Sequence, residues 1–89
     1  MKERYLEVTY RRGKPIAGYL YLPRENGVKS ARTEEAAPGL LVDFSASGEP
    51  IGLEVIAPTQ VTIEDINGAL TKLGLEPVEP EEIAPLLAA

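Results

Sequence analysis

The stretch GLLVDFSASGEPIGLEVIAP, residues 39–58, constrains the fold more than any other part of this chain. Two apolar runs flank a turn rich in serine and glycine, which is the pattern of a β-hairpin. Opposed residues of an antiparallel pair lie on the same face, so the length of the turn decides which side chains face the core. A turn of two or four residues gathers six apolar side chains on one face, namely Leu40, Val42, Phe44, Ile51, Leu53 and Val55.

Asp43 is the single charged residue of the first apolar run. With the even turn it lies on the outer face of the hairpin, opposite Gly52. A three-residue turn with a bulge at Gly48 would instead point Asp43 into the core, and burying an unpaired carboxylate costs several kcal/mol. We therefore predict the even turn and an outward-facing Asp43. Its neighbours on the outer face are then Leu41, Glu54 and Ile56.

Alternating runs upstream of this stretch predict further strands. Residues 5–10 and 16–22 alternate with a period of two on either side of the turn RRGKP, and they form a predicted first hairpin. In the second run, Tyr19 and Tyr21 fall on the face opposite to the leucines. Residues 28–35 are polar and weakly alternating, which predicts a strand at an edge of the sheet.

Residues 59–75 change to a helical period. Thr62 is a suitable N-cap and Asp65 completes a capping box, while Gly74 suits the left-handed position that follows a last helical turn. Gly68, inside the helix, is interpreted as a point of close approach to the sheet. The apolar stripe consists of Ile63, Ile66, Leu70 and Leu73.

The tail, residues 76–89, is acidic and rich in proline. Pro80 suits the first position of a short helix, and Pro85 is expected to end that helix within about a turn and a half. Leu86 and Leu87 follow, and the sequence pattern offers them no partner.

Together these elements predict one α+β domain spanning residues 1–89. An antiparallel β-meander of four to five strands occupies residues 1–58, and one amphipathic helix at 59–75 packs on one face of the sheet. Residues 76–89 add a short C-terminal turn. A chain of 89 residues has a thin core, and this one has no cysteine for a disulfide, so we predict that it is stabilised as a homodimer.

The chain contains no histidine and no cysteine. It therefore lacks the commonest general base, a thiol nucleophile and the usual zinc ligands. The remaining acid–base candidates are carboxylates, and Asp43 and Glu54 are diagonal neighbours on the predicted outer face. A hydrolytic pair needs a pocket that the pattern does not indicate, so we favour an Asp43 that accepts hydrogen bonds from the turn at Ser45 or Ser47. We predict that the protein is not an enzyme and binds no metal or cofactor.

The formal net charge is −5 and the isoelectric point is near 4.7. An acidic surface repels phosphate groups, which argues against a nucleic-acid-binding protein. The first twenty residues carry several charges, and no apolar run approaches the length of a membrane span. We therefore predict no signal peptide, no membrane association and a cytoplasmic location.

Several apolar side chains have no place in the predicted core. Contiguous apolar patches on a protein surface are typical of interfaces. The candidate interface residues are Tyr19, Tyr21, Leu41, Ile56, Leu86 and Leu87. The outer face is covered by the tail, by a second subunit or by a different protein, and our main interpretation is a non-catalytic interaction module that self-associates.

The central stretch also resembles the signature of a bacterial and archaeal family, the domain of unknown function family 2283. The matching residues are Asp43, Phe44, Gly48, Gly52, Leu53, Glu54 and Val55, with Tyr10, Leu20, Tyr21 and Leu22 upstream. The resemblance spans about residues 5–58 and implies a compact β-meander. The chain departs from the family pattern where Arg11, Gly18 and Ser45 or Ala46 stand in place of aspartates.

The resemblance also implies a partner, because some members of that family lie beside small toxin-like proteins. An acidic surface with a leucine-bearing tail suits binding to a cationic protein, which gives a second hypothesis. In this hypothesis the chain is an antitoxin-like partner that masks a small basic toxin. The resemblance assigns no catalytic residue, and a hydrolase that uses Asp43 and Glu54 is a remote third hypothesis.

Overall fold

The computed structural model describes residues 3–25 and 27–87. Within these ranges the chain forms a five-stranded antiparallel sheet and two helices, which confirms the predicted α+β class and meander-like sheet. The elements are β1 (Tyr5–Arg11), β2 (Lys14–Tyr21), β3 (Arg32–Ala37), β4 (Leu40–Phe44), β5 (Pro50–Val55), α1 (Ile63–Lys72) and α2 (Pro80–Leu87). Neither helix is long and apolar enough to cross a membrane.

The strands are arranged in the order β1-β2-β5-β4-β3. The last three strands of the chain form a meander, in which each strand pairs with the next. The β1–β2 hairpin joins this meander through a pairing of β2 with β5. Residues 22–31 connect β2 to β3. In this strand order, β1 and β3 are the two edge strands of the sheet.

The central hairpin has the predicted register and a different turn. Asp43 lies opposite Gly52, as predicted. Phe44, however, pairs with Pro50 and not with Ile51, so the turn has five residues. The extra residue, Ile51, forms a bulge in β5 that restores the register of the remaining pairs.

Ser45 accounts for the odd length of the turn. Its backbone N–H donates to the Glu49 carbonyl at 2.8 Å, and its own carbonyl accepts from the Gly48 N–H at 3.0 Å. The buried Ser45 hydroxyl lies 2.9 Å from the Ser47 hydroxyl and accepts from the Glu49 N–H at 3.2 Å. The turn is therefore closed by its own polar groups, which the alternation of apolar residues does not reveal.

The core lies between one face of the sheet and the two helices. The strands contribute Leu20, Leu40, Val42, Leu53 and Val55, Leu22 follows the end of β2, and the helices contribute Ile66, Ala69, Leu70, Ile83 and Leu86. Phe44 is half-buried against this core, and Ile51 is buried at the bulge. Five of the six residues predicted for the inner face of the central hairpin thus belong to or pack on the core that the helices cover, and Ile51 lies outside that cluster.

Helix α1 begins and ends with the predicted caps. The Thr62 hydroxyl accepts from the Asp65 N–H at 3.1 Å, and the Asp65 carboxylate accepts from the Thr62 N–H at 3.0 Å, which completes the capping box. At the other end Gly74 has a φ of 75°, and the Leu75 N–H donates to the Leu70 carbonyl at 2.9 Å. These two bonded ends fix the helix over the sheet.

Gly68 does not approach the sheet, contrary to the prediction. It lies on the exposed side of α1, and a Cβ atom at this position would meet nothing within 4 Å. No contact within the described part of the chain therefore requires a glycine at this position.

Helix α2 is longer than predicted, because it continues through Pro85 to Leu87. The Glu79 N–H donates to the Glu82 carboxylate at 3.0 Å and so caps the first turn. Pro85 removes one hydrogen bond, the bond to the carbonyl of residue 81, and that residue is exposed to water. Burial of Ile83 on the inner side of the helix offsets this loss.

The tail packs on the helix-covered face of its own sheet. Leu86 is fully buried over Gly18, where a Cβ atom would lie 2.6 Å from one Leu86 methyl carbon. Leu87 is half-buried against the same core. The prediction that Leu86 and Leu87 form an interface is therefore wrong for Leu86, which has no exposed surface to offer, and Leu87 lies apart from the other candidates.

Candidate functional site

The face of the sheet opposite the helices carries the remaining candidate residues, and we call it the open face. The strand register places Tyr5, Tyr21, Gly52, Asp43 and Thr33 in one row across all five strands. A second row contains Glu7, Tyr19, Glu54, Leu41 and Glu35. The open face therefore combines aromatic side chains with carboxylates.

Three tyrosines pack against one another on this face, and we call them the tyrosine cluster. The rings of Tyr5 and Tyr21 are stacked, with centroids 4.6 Å apart and an interplanar angle of 17°. The ring of Tyr19 lies 4.6 Å from that of Tyr21 and is tilted by 56°. Tyr5 is 51% exposed, while the other two rings are partly covered. The cluster is thus an ordered aromatic surface that no part of the described chain covers fully.

Asp43 holds one end of this cluster in place. The Tyr19 hydroxyl donates to one carboxylate oxygen of Asp43 at 2.8 Å, and the Thr33 hydroxyl donates to the other at 2.6 Å. The outward orientation of Asp43 is confirmed. Its donors are different from those predicted, because Ser45 and Ser47 bond to each other instead.

Gly52 makes room for the bond between Tyr19 and Asp43. The Tyr19 ring crosses diagonally from β2 over β5 to reach β4, and the backbone of Gly52 lies directly beneath it. A Cβ atom at Gly52 would overlap the Tyr19 hydroxyl and ring. Gly52 is thus required by a neighbouring side chain, whereas Gly48 is suited to its turn because its φ is 90°.

Burial raises the pKa of the Tyr19 hydroxyl well above its usual range, and the hydrogen bond to Asp43 and the charge of Asp43 raise it further. Burial also raises the pKa of Tyr21, followed by a hydrogen bond from its hydroxyl to Glu7 at 3.2 Å. Both phenols therefore stay protonated through the neutral range and act as hydrogen-bond donors, which makes them poor general bases.

The charges near the cluster are mostly negative. Glu7 accepts from Tyr21, Asp43 accepts from Tyr19, and Glu54 lies opposite Tyr19. One cation approaches the cluster from the loop after β2, where the Arg24 guanidinium carbon lies 5.4 Å from the centroid of the Tyr21 ring. The open face is therefore suited to positively charged groups.

Asp43 and Glu54 share the open face as diagonal neighbours, as predicted. Both oxygens of Asp43 already have a donor within hydrogen-bonding distance, so this carboxylate has the contacts of a structural acceptor. Among the described residues, no group of three or more side chains is arranged to hold a metal ion.

The structure brings together most of the predicted site residues and separates others. Tyr19, Tyr21 and Leu41 lie on the open face, with Asp43, Gly52 and Glu54 among them. Ile56 follows the end of β5 and is 51% exposed. Tyr5, Glu7, Thr33 and Arg24 were not among the predicted site residues. The exposed position of Tyr5 in the first alternating run was a usable signal, but its partner becomes known only from the register of β1 and β2.

A separate cleft of about 410 Å³ lies between α1 and the β3 edge. It is lined by apolar residues such as Phe44 and Leu73 and by charged residues such as Glu34, Glu64 and Lys72. Its lining contains neither Asp43 nor any residue of the tyrosine cluster. This cleft is therefore separate from the tyrosine cluster, although Glu35 belongs both to its lining and to the second row of the open face.

Comparison with known proteins gave no match, whether with family models, with curated proteins or with solved structures.

Proposed function

We propose that this chain is a non-catalytic interaction module that binds a basic segment of another polypeptide on its open face. The observation that carries the proposal is the tyrosine cluster, an exposed aromatic surface that is fixed by hydrogen bonds to carboxylates on the face that no helix covers. The proposed setting is the cytoplasm, whose reducing conditions suit a chain without disulfides.

The order of the cluster favours binding. Tyrosine and arginine are enriched among the residues that dominate interface energies. Rings that are already held in one orientation lose little conformational entropy when a partner docks, so more of the contact energy appears as affinity. Tyr21 is held on two sides, by the stacked ring of Tyr5 and by its bond to Glu7.

The charge of the face argues for a basic partner. Glu7, Asp43 and Glu54 lie on or beside the cluster, and the whole chain has a net charge of −5. Two copies placed face to face would oppose these carboxylates, which is unfavourable in a desolvated interface. A cationic segment would face complementary charge. The predicted homodimer is thus not the occupant that we propose for this face.

The resemblance to the domain of unknown function family 2283 supports the same direction. Masking of a small basic toxin-like protein was the second hypothesis from the sequence, and an acidic aromatic face has the chemistry for that task. The hydrolase hypothesis is weakened, because Asp43 is committed to Tyr19 and Thr33.

The proposal is tested by titrating the protein with two synthetic ten-residue peptides, one of alternating arginine and glycine and one of alternating glutamate and glycine. We expect calorimetry to detect binding of the basic peptide, with an affinity that falls as salt is added. Tyr21→Ala should weaken binding about tenfold, which corresponds to about 1.4 kcal/mol. Tyr10→Ala is the matched control, since Tyr10 is 54% exposed and lies outside the cluster.

Equal binding of the two peptides would overturn the proposal, and so would equal losses in the Tyr21→Ala and Tyr10→Ala variants. Tyr21→Phe keeps the ring and removes only the hydroxyl, so it provides a second test of the site if the alanine variant misfolds. A Tyr21-dependent dimer in light scattering would also contradict the proposal, because a second copy would then occupy the face.

A further inference from the structure

The position of the Arg24 guanidinium over the tyrosine cluster indicates which kind of cation the cluster binds. It lies three residues after Tyr21, at the start of the loop from β2 to β3, and its guanidinium carbon is 5.4 Å from the Tyr21 ring centroid. This distance is within the range of a cation–π contact. The chain thus already places a guanidinium over the middle ring of the cluster.

Arg24 is half-buried and lacks a polar side-chain partner in the part of the chain that the structure describes. Among residues 3–25 and 27–87, its side chain forms no salt bridge, and none of the side-chain hydrogen bonds of these residues involves it. By contrast, Arg4 makes bonds to two backbone carbonyls and to Glu82. Among the described residues the half-buried Arg24 guanidinium therefore has the Tyr21 ring as its partner, and a single cation–π contact that water can reach is weak.

Two features near Tyr21 match a guanidinium better than an ammonium group. The flat ring offers a stacking surface, which a planar guanidinium uses more fully than a compact ammonium ion. The Glu7 carboxylate lies 3.2 Å from the Tyr21 hydroxyl and has a second oxygen that can accept a bond from a stacked guanidinium.

We propose that the surface over Tyr21 is an arginine-binding site, and that Arg24 is a stand-in that an arginine of the partner displaces. This inference rests on the proposed function, because it names the group by which the basic partner is recognised. The incoming arginine stacks on Tyr21 and pairs with Glu7, while the Arg24 side chain leaves the ring. No covalent change is involved.

Removing Arg24 should consequently strengthen binding. Arg24→Ala empties the ring and also makes the chain more negative, so Lys29→Ala is the matched control, as it removes one positive charge from the same loop. We expect Arg24→Ala to bind the arginine–glycine peptide about two- to fivefold more tightly than Lys29→Ala, the range of one solvent-accessible cation–π contact. A lysine–glycine peptide of equal length should gain less from Arg24→Ala than the arginine peptide gains.

Tyrosine fluorescence of the protein without any peptide tests directly whether Arg24 lies over the Tyr21 ring. The chain has four tyrosines and no tryptophan, so its intrinsic fluorescence reports on tyrosine alone. Arg24→Ala should change this emission, whereas Lys29→Ala should leave it unchanged. The change should disappear when both variants also carry Tyr21→Leu.

The outcomes separate the two proposals. One outcome is that Arg24→Ala and Lys29→Ala bind the arginine–glycine peptide equally while Tyr21→Ala still weakens binding. In that case the proposal that Arg24 is a stand-in is wrong and the proposed function stands. If the lysine peptide gains as much as the arginine peptide, selectivity for the guanidinium is wrong. If none of the variants binds a basic peptide, the proposed function fails and the inference fails with it.

Discussion

Asp43 and Gly52 face each other across β4 and β5, and both depend on the same tyrosine. Asp43 needs the Tyr19 hydroxyl as one of its two donors, and Gly52 has to lack a side chain so that the ring can pass above it. The lone charge in an apolar run is thus explained by a hydrogen bond from a strand two places away in the sheet.

Gly52→Ala tests this dependence at the residue scale. The added methyl group would overlap the Tyr19 ring, so the ring has to move and its bond to Asp43 is strained or lost. We expect the free energy of unfolding to fall by about 1–3 kcal/mol, as for other overpacked sites, measured by urea denaturation. Gly68→Ala is the control, because this exposed helix position has free space and should gain up to about 1 kcal/mol. A Gly52→Ala protein as stable as the wild type would contradict the role given to Gly52.

Tyr19 also gives stability a dependence on alkaline pH. Burial and then Asp43 raise its pKa in the folded state above the unfolded value of about 10. Its contribution is therefore complete below about pH 10 and is lost as the pH rises toward the folded-state pKa, because only the unfolded chain then releases the proton.

Urea denaturation between pH 8 and 11 measures this loss. The wild type should lose more stability over this range than Tyr19→Phe, which has no phenol to ionise. Identical pH profiles for the two proteins would show that Tyr19 titrates alike in both states.

At the scale of single elements, the parts predicted from sequence were those with local signals. Helix α1 has its capping box and its terminal glycine within a few residues of its ends, and β4 and β5 carry a clear alternation. The incorrect predictions concern features that depend on interactions which the local sequence pattern does not show. The buried hydroxyl of Ser45 sets the turn, and burial of Leu86 over Gly18 keeps α2 intact past Pro85.

The capping box of α1 allows a quantitative test at this scale. Thr62→Ala removes the acceptor for the Asp65 N–H and should lower the free energy of unfolding by about 1 kcal/mol. Thr71→Ala is the matched control, since Thr71 is exposed inside the same helix and alanine has the higher helix propensity. Differential scanning calorimetry on both variants measures the contrast, and a larger loss in Thr71→Ala would be inconsistent with the cap.

The candidate site was only partly predictable for a related reason. Tyr19, Tyr21 and Asp43 were assigned to the outer face from alternation alone, which holds within one strand. Tyr5 and Thr33 join them through pairings between strands. Arg24 joins through a loop, whose path no periodicity describes.

At the scale of the whole molecule, Arg4 ties distant parts of the chain together. Its guanidinium donates to the carbonyl of Glu76 at 2.6 Å and to that of Pro77 at 2.7 Å. It also lies 3.3 Å from Glu82, whose pKa is lowered first by the bond from the Glu79 N–H and then by Arg4. The start of β1 is thus bonded to the segment between the helices and to α2.

Arg4→Lys keeps the charge and removes the forked geometry that reaches two carbonyls at once. We expect a loss of about 1.5–3 kcal/mol in the free energy of unfolding, the scale of hydrogen bonds to a charged group. Limited proteolysis should cut residues 76–79 faster in this variant. Arg11→Lys, at the other end of β1, is the control, and equal cleavage of the two variants would argue against the clamp.

The strand order has a consequence for the speed of folding. Every pairing except one joins strands that are adjacent along the chain, while β2 meets β5 only after residues 22–49 have been looped out. Closing that loop costs entropy before the contacts form, so this junction is expected to limit the refolding rate. In stopped-flow experiments Leu53→Ala, at the junction, should therefore slow refolding, whereas Thr62→Ala should mainly speed unfolding. If Leu53→Ala changes only the unfolding rate, β2 and β5 pair after the rate-limiting step of folding, and the expectation is wrong.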